Sequence, residues 1–155
     1  CMTDNEMELV FDALSVNESL ARMAVAAFVA DKNPTLEEIS DIKTAVSEAV
    51  TNAIIHGYEN ENKSAHKTGD LQKVRLHCSF TGKLLVIEVE DKGVGISDVE
   101  QAMEPLFTTG NEEERSGMGF TVMQSFMDSI KVSSKTGKGT TVTMEKYIVP
   151  RVKGR

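Results

Sequence analysis

Polar and apolar residues alternate one by one over Glu6–Ala13. Met7, Leu9 and Phe11 fall on one side, and Glu8, Val10 and Asp12 on the other. That period predicts a strand, and its acidic face suits the edge of a sheet. The spacing then changes to threes and fours. A helix is expected from about Val16 to Ala30, with Leu20, Met23, Ala24, Ala27 and Phe28 buried and Arg22 off that stripe. Ser15 and Glu18 have the S-x-x-E spacing of a capping box at its start, and Asn33-Pro34 ends it. Thr35 and Glu38 repeat the box ahead of a longer helix, Leu36 to about His56, with Ile39, Ile42, Val46, Ala49 and Ala53 as its apolar stripe and Gly57 as its stop.

Residues 59–73 are polar and without period, and are expected to form a surface loop. Alternation returns in Val74–Phe80 and Lys83–Asp91, joined by Thr81-Gly82 as a hairpin. Ser97 or Asp98 caps a short helical turn ending near Met103, and residues 104–116 have the composition of a lid. A helix from Gly117 to Met127 is followed by strands Ile130–Lys135 and Thr140–Tyr147 around Thr136-Gly137-Lys138-Gly139. The basic tail 150–155 is expected to fray. The 155 residues suffice for one domain with a real core and are few for two, so we read 1–155 as a single domain with its core at 6–147.

Composition narrows the class. Apolar content of 40% beside 26% charged residues is globular. No apolar run is long enough to span a membrane, and the acidic start lacks a secretory pattern. Two cysteines, Cys1 and Cys78, make no disulfide framework, and a cytoplasmic location is expected. Cys1 precedes Met2, so Met2 is expected to be the natural start. A net charge of −7 disfavours direct nucleic-acid binding and suits a basic protein partner.

Three stretches carry candidate chemistry. On the long helix Glu48, Asn52 and His56 stand four apart and share one face. An amide oxygen is a hard ligand for Mg²⁺, and a carboxylate one turn earlier accepts a proton or orients a water. An ordinary solvated helix face has the same spacing. Asp91-x-Gly93-x-Gly95 ends a strand, where a carboxylate accepts from an exocyclic amine and glycines admit a flat ring closely, or simply turn the chain. Arg115-Ser116-Gly117-Met118-Gly119-Phe120 leads into a helix, so its N–H groups and the arginine form either a phosphate seat or a tight turn. It matches neither the Walker loop nor the dinucleotide fingerprint. Gly139-Thr140-Thr141 alone marks a hairpin.

Taken in order, E-x-x-x-N on a helix, D-x-G-x-G at a strand end, G-x-G opening a helix and G-T-T opening a strand resemble the ATPase superfamily of gyrase B, Hsp90 chaperones, histidine kinases and MutL. Asn17-Glu18-Ser19, Ser47–Tyr58, Pro105-Leu106-Phe107-Thr108-Thr109 and Glu114–Phe120 are similar to one branch, the stage II sporulation AB family of anti-sigma F factors and serine kinases. The likeness spans about Glu6 to Tyr147. It departs where residues 59–73 run long and where Gly110, not lysine, follows Thr109.

The resemblance implies an α/β two-layer sandwich, helices on one face of a mixed, largely antiparallel sheet. It implies ATP or ADP with Mg²⁺ as ligands. Glu48 would be the catalytic carboxylate and Arg115 would meet charge on the γ-phosphate. Asn52 would hold the metal and Asp91 would read adenine. Gly93, Gly95, Gly117 and Gly119 would let the backbone approach the nucleotide. Thr108 and Thr109 would belong to the lid, and Thr141 would join the nucleotide-binding set. Arg22 matches an exposed arginine of the family's partner surface. The implied partners are a sigma factor, sigma F, and an anti-anti-sigma protein whose serine is phosphorylated, with a homodimer as the assembly. A stress-response sigma factor, a nucleotide-gated binding module without useful kinase activity, and an isolated histidine-kinase catalytic domain are the rival readings. The chain lacks a histidine-bearing dimerisation segment, which disfavours the last as a complete kinase.

Overall fold

The computed structural model describes residues 3–58, 72–104 and 119–149. Strands β1 (Asn5–Asp12), β2 (Lys73–Thr81), β3 (Leu84–Asp91), β4 (Ser129–Lys135) and β5 (Gly139–Tyr147) form one sheet in the order β1-β2-β3-β5-β4. Every pairing described is antiparallel, so the sheet is not mixed within these residues. β1 is an edge strand, as its acidic face predicts. Glu8 and Glu6 on that face meet Arg75 and His77 of β2, the neighbouring strand.

Helices α1 (Asn17–Val29), α2 (Leu36–Asn52), α3 (Val99–Met103) and α4 (Phe120–Phe126) complete the architecture. The core lies between sheet and helices. Leu76, Cys78 and Phe80 of β2, Leu85 and Ile87 of β3 and Met144 of β5 are buried there with Ile42, Val46 and Val50 of α2. Burial of one such side chain contributes about 1.5–3 kcal/mol. The same surroundings push the Cys78 thiol up to about 12, so it behaves as a small core residue.

Local chemistry explains α2 and corrects α1. Thr35 accepts the Glu38 N–H at 2.9 Å, and the Glu38 carboxylate accepts the Thr35 N–H at 2.8 Å, so this capping box forms. The one expected at α1 does not. The Glu18 N–H bonds the Ser15 carbonyl, while the Glu18 side chain turns to the hydroxyl of Thr51 on α2. Asn17 instead ties the helix start to the Asp12 carbonyl at 2.8 Å.

The buried face of α1 is also not the expected one. Ala21, Val25 and Val29 are inside, while Leu20, Met23 and Ala27 are exposed and Ala24 and Phe28 half-buried. Helices α1 and α2 pack together, and the buried residues of both include alanines, Ala21 on α1 and Ala45 and Ala49 on α2. Phe28 reaches the sheet and stacks on Phe80, with ring centroids 5.5 Å apart.

Most of the polar loop, the lid from 105 and the tail 150–155 lie outside the described residues. The helix expected from Gly117 is described from Phe120. Among the described residues no helix is long and apolar enough to cross a membrane.

Candidate nucleotide cleft

α2 does not run on regularly to His56. Ala53–Gly57 forms a π turn, a wider coil that recurs at functional sites. With Asn52 just before it, the turn lines a small cleft of about 20 Å³, and His56 stands on its wall. The walls are apolar: Val89 of β3, Val142 of β5, Ile96 and Phe120. Asp91 and Thr140 are polar groups at its β3–β5 side.

Asp91 continues the inward series Leu85, Ile87, Val89, so a carboxylate occupies a position whose register calls for an apolar side chain. It is only 7% exposed. Burial of a carboxylate is costly unless donors meet it. The Gly93 N–H is one of those donors, at 2.9 Å from Oδ1. The other wall is Gly57, where a Cβ would lie 2.9 Å from Oδ1 and from Cγ of Asp91. Gly57 is thus needed for close approach. It is absent from the residues with positive φ, so it is not the left-handed helix stop expected from sequence.

The glycines of the D-x-G-x-G stretch serve the chain's own packing. A Cβ at Gly93 would run into the Gly57 carbonyl, and one at Gly95, with φ +76°, into the Lys135 carbonyl. The loop is clamped from both sides. Val94 donates to the Gly57 carbonyl at 3.1 Å and accepts from Gly137 N–H at 2.7 Å. Ser134 adds a hub: its hydroxyl accepts the Ile96 N–H at 2.7 Å and lies 2.8 Å from the Thr140 hydroxyl.

The two threonines of G-T-T part company. Asp91 pairs with Thr140 and Glu90 with Thr141. Neighbouring strand residues alternate between faces, so Thr140 shares the face of Asp91 and lines the cleft, while Thr141 shares that of Glu90. Thr140, rather than the Thr141 expected in the nucleotide-binding set, lines this cleft. The signal was available in the strand register, given that Asp91 is inward.

Glu48 is not a wall of this cleft. It lines a separate surface groove with Arg22 of α1 and Leu36, Ile39, Lys43 and Ser47 of α2. Its carboxylate meets Gly119, the residue before Phe120. Gly119 has φ +59°, and a Cβ there would strike Glu48 Oε2. Burial, and secondly the charge of Glu18, raise the Glu48 carboxyl above its ordinary value. Glu48 therefore stands at the partition between groove and cleft.

Arg22 is half-buried rather than freely exposed. It donates to Ser47 Oγ at 3.1 Å and to Ser19 Oγ at 3.0 Å, spanning α1 and α2 beside Glu48. Thr108, Thr109, Arg115 and Gly117 lie outside the described residues. Among the described residues no three His, Cys, Asp or Glu side chains gather as a metal site. Ile96 lines the cleft and Ser134 bonds Ile96 and Thr140 beside it, and neither stands in a motif; Gly57, Phe120 and Thr140 stand within the quoted stretches but had no site role assigned.

Residues 11–146 match the family described as the histidine kinase-like ATPase domain. An anti-sigma F factor of Thermoanaerobacter sp. (strain X514) is 58% identical over 144 residues, 93% of this chain and 94% of that protein. An anti-sigma F factor of Clostridium acetobutylicum is 55% identical, covering 94% of this chain and 95% of its own. Among solved structures, the RsbU and RsbW domains of a Mycobacterium tuberculosis protein superpose with a TM-score of 0.63 at 16% identity, over 93% of this chain and 32% of that one. The catalytic domain of histidine kinase ThkA gives 0.56, also at 16% identity, over 93% and 97%. These two likenesses concern the fold, whose helix-on-sheet layers they share. With the cleft and the curated relatives, the chain belongs to the anti-sigma F factor family, a branch of the histidine kinase-like ATPase domains.

Proposed function

We propose that this chain is an anti-sigma factor and an ATP-dependent protein serine kinase. It holds ATP or ADP in the cleft, binds a sigma factor, and phosphorylates a serine of an anti-anti-sigma protein. The sigma factor is the one in its relatives' name, sigma F. The reading includes a homodimer working in the cytoplasm, without direct contact to nucleic acid or membrane.

One observation supports the kinase reading: Glu48 lines a surface groove and touches Gly119, the residue before the cleft wall Phe120. A phosphoryl donor on one side and a serine-bearing protein on the other would meet at that carboxylate. The serine oxygen attacks the γ-phosphorus, the bond from that phosphorus to the β–γ bridging oxygen breaks, and ADP leaves. Glu48 takes the hydroxyl proton. Its raised affinity for protons makes it a better base than an exposed glutamate. Asp91 accepts from the adenine 6-amino group, a contact that a guanine carbonyl at the same place would repel. Asn52 supplies an amide oxygen to Mg²⁺, which neutralises phosphate charge when bound. Thr108, Thr109 and Arg115 belong to the lid over the phosphates, Arg115 facing the γ-phosphate, and Gly117 and Gly119 let the backbone approach the nucleotide. Arg22, with Lys43 close by in the groove, offers positive charge to an acidic partner group.

The test is transfer from γ-labelled ATP to the serine protein, with the product's acid stability read afterwards. Acid-stable label on serine is expected. Acid-labile label would indicate histidine transfer, and no label beside intact, nucleotide-dependent sigma-factor binding would indicate a binding module.

A further inference from the structure

Tyr58 ends the π turn and is 1% exposed. Its hydroxyl donates to the Lys73 carbonyl at 3.0 Å and accepts the Lys92 N–H. One phenol thus joins the end of α2, the start of β2 and the residue next to Asp91. The neighbouring Gly57 holds the same loop from the other direction, through its carbonyl to Val94 and its Cα against the Asp91 carboxylate.

We propose that Tyr58 is a positioning residue for Asp91: by anchoring the backbone at Lys92 it fixes the carboxylate in the cleft and so sets how strictly a purine's 6-amino group is read. This rests on the reading of Asp91 as the adenine acceptor. The physical basis is directional. Hydrogen bonds weaken steeply with misalignment, so freeing residue 92 reduces the contact without removing the carboxylate. A tyrosine that merely fills the core would act on stability and leave base discrimination alone.

The experiment measures dissociation constants of ATP and of purine riboside triphosphate, which lacks the 6-amino group. Parent, Tyr58→Phe, Asp91→Asn and the double variant are compared below the lowest thermal midpoint. The parent is expected to prefer ATP, and Tyr58→Phe to cut that preference about 3- to 10-fold, the worth of one hydrogen bond. The double variant should lose little beyond Asp91→Asn alone, because both changes act on one contact. A Tyr58→Phe chain that keeps the parent's preference, whatever it loses in stability, overturns the inference and leaves Asp91 standing. A parent without preference overturns the Asp91 reading and this inference with it. Hydrogen exchange at the Lys92 amide gives a second readout on the parent itself. Slow exchange is expected, and exchange as fast as an open amide contradicts the anchor.

Discussion

Gly57 lies flat against the carboxylate of Asp91, with room for a hydrogen but not for a methyl group. A Cβ at residue 57 would come within 2.9 Å of Asp91 Oδ1, and Asp91 is itself held by the Gly93 N–H. Gly57→Ala should therefore push the carboxylate out of place, weakening ATP about tenfold or more while costing roughly 1–3 kcal/mol of stability. Gly93→Ala drives its methyl into the Gly57 backbone, which has less freedom to move. It should cost the larger share of stability. Calorimetric titration with ATP beside thermal melts checks both. Equal stability losses, with unaltered binding in Gly57→Ala, would contradict this picture.

Strand parity gives a second prediction. Thr140 lines the cleft and touches the Ser134 hydroxyl, while Thr141 pairs with Glu90 and by strand alternation takes the other face. Thr140→Val should weaken ATP by about 3- to 10-fold, the worth of a single hydrogen bond. Thr141→Val should leave binding unchanged. The reverse pattern would restore Thr141 to the site.

Glu48 makes stability and pH move together. Its carboxyl is raised above 4.5 by burial first and by Glu18 second. The folded chain therefore disfavours the ionised form. The contribution of this group to stability is full below 4.5 and is lost as pH rises through the raised value. Glu48→Gln removes that loss. Variant and parent should melt alike in acid below 4.5, and the variant should melt higher at neutral pH. A parent that is the more stable at neutral pH would mean that the carboxylate is held by favourable partners instead.

Arg22 is tied to Ser19 and Ser47, yet both bonds are partly open to solvent. Arg22→Ala should cost less than about 1 kcal/mol of stability. Arg22→Glu should weaken the protein complex by roughly tenfold or more, because reversal adds repulsion toward an acidic partner group. It should leave ATP affinity near the parent's. Equilibrium binding of the sigma factor and of ATP to the two variants measures this. Intact partner binding in Arg22→Glu would confine the residue to joining α1 and α2.

What the sequence made legible follows from periodicity. Strands with one buried face announce it by alternation, so β2 and β3 lie within a residue or so of where the pattern puts them. α1 was legible as a helix but not in its orientation. Most of its residues are apolar or small, so several stripes fit, and size favours Leu20 and Met23 over Ala21 and Val25. The buried face, Ala21, Val25 and Val29, depends on packing against α2, which no single helix encodes. The π turn at Ala53–Gly57 has no local signature, and it carries His56 and Gly57 to the cleft. Of the residues that motif spacing singled out, Asn52, Asp91 and Gly95 line the cleft. The spacing did not find the apolar walls, nor that Glu48 meets Gly119 across a partition.

The most direct measurement is single-turnover phosphoryl transfer by Glu48→Gln beside sigma-factor binding, both at saturating Mg-ATP. The amide keeps the shape and cannot take the proton. Transfer to the serine protein should fall about 10²–10⁴-fold. Sigma-factor binding should stay near the parent's, leaving an inhibitor that is hard to switch off. Near-parental transfer would remove Glu48 from the chemistry. Loss of both activities together would contradict the account, by making the Glu48–Gly119 contact a structural element rather than the meeting point of nucleotide and acceptor.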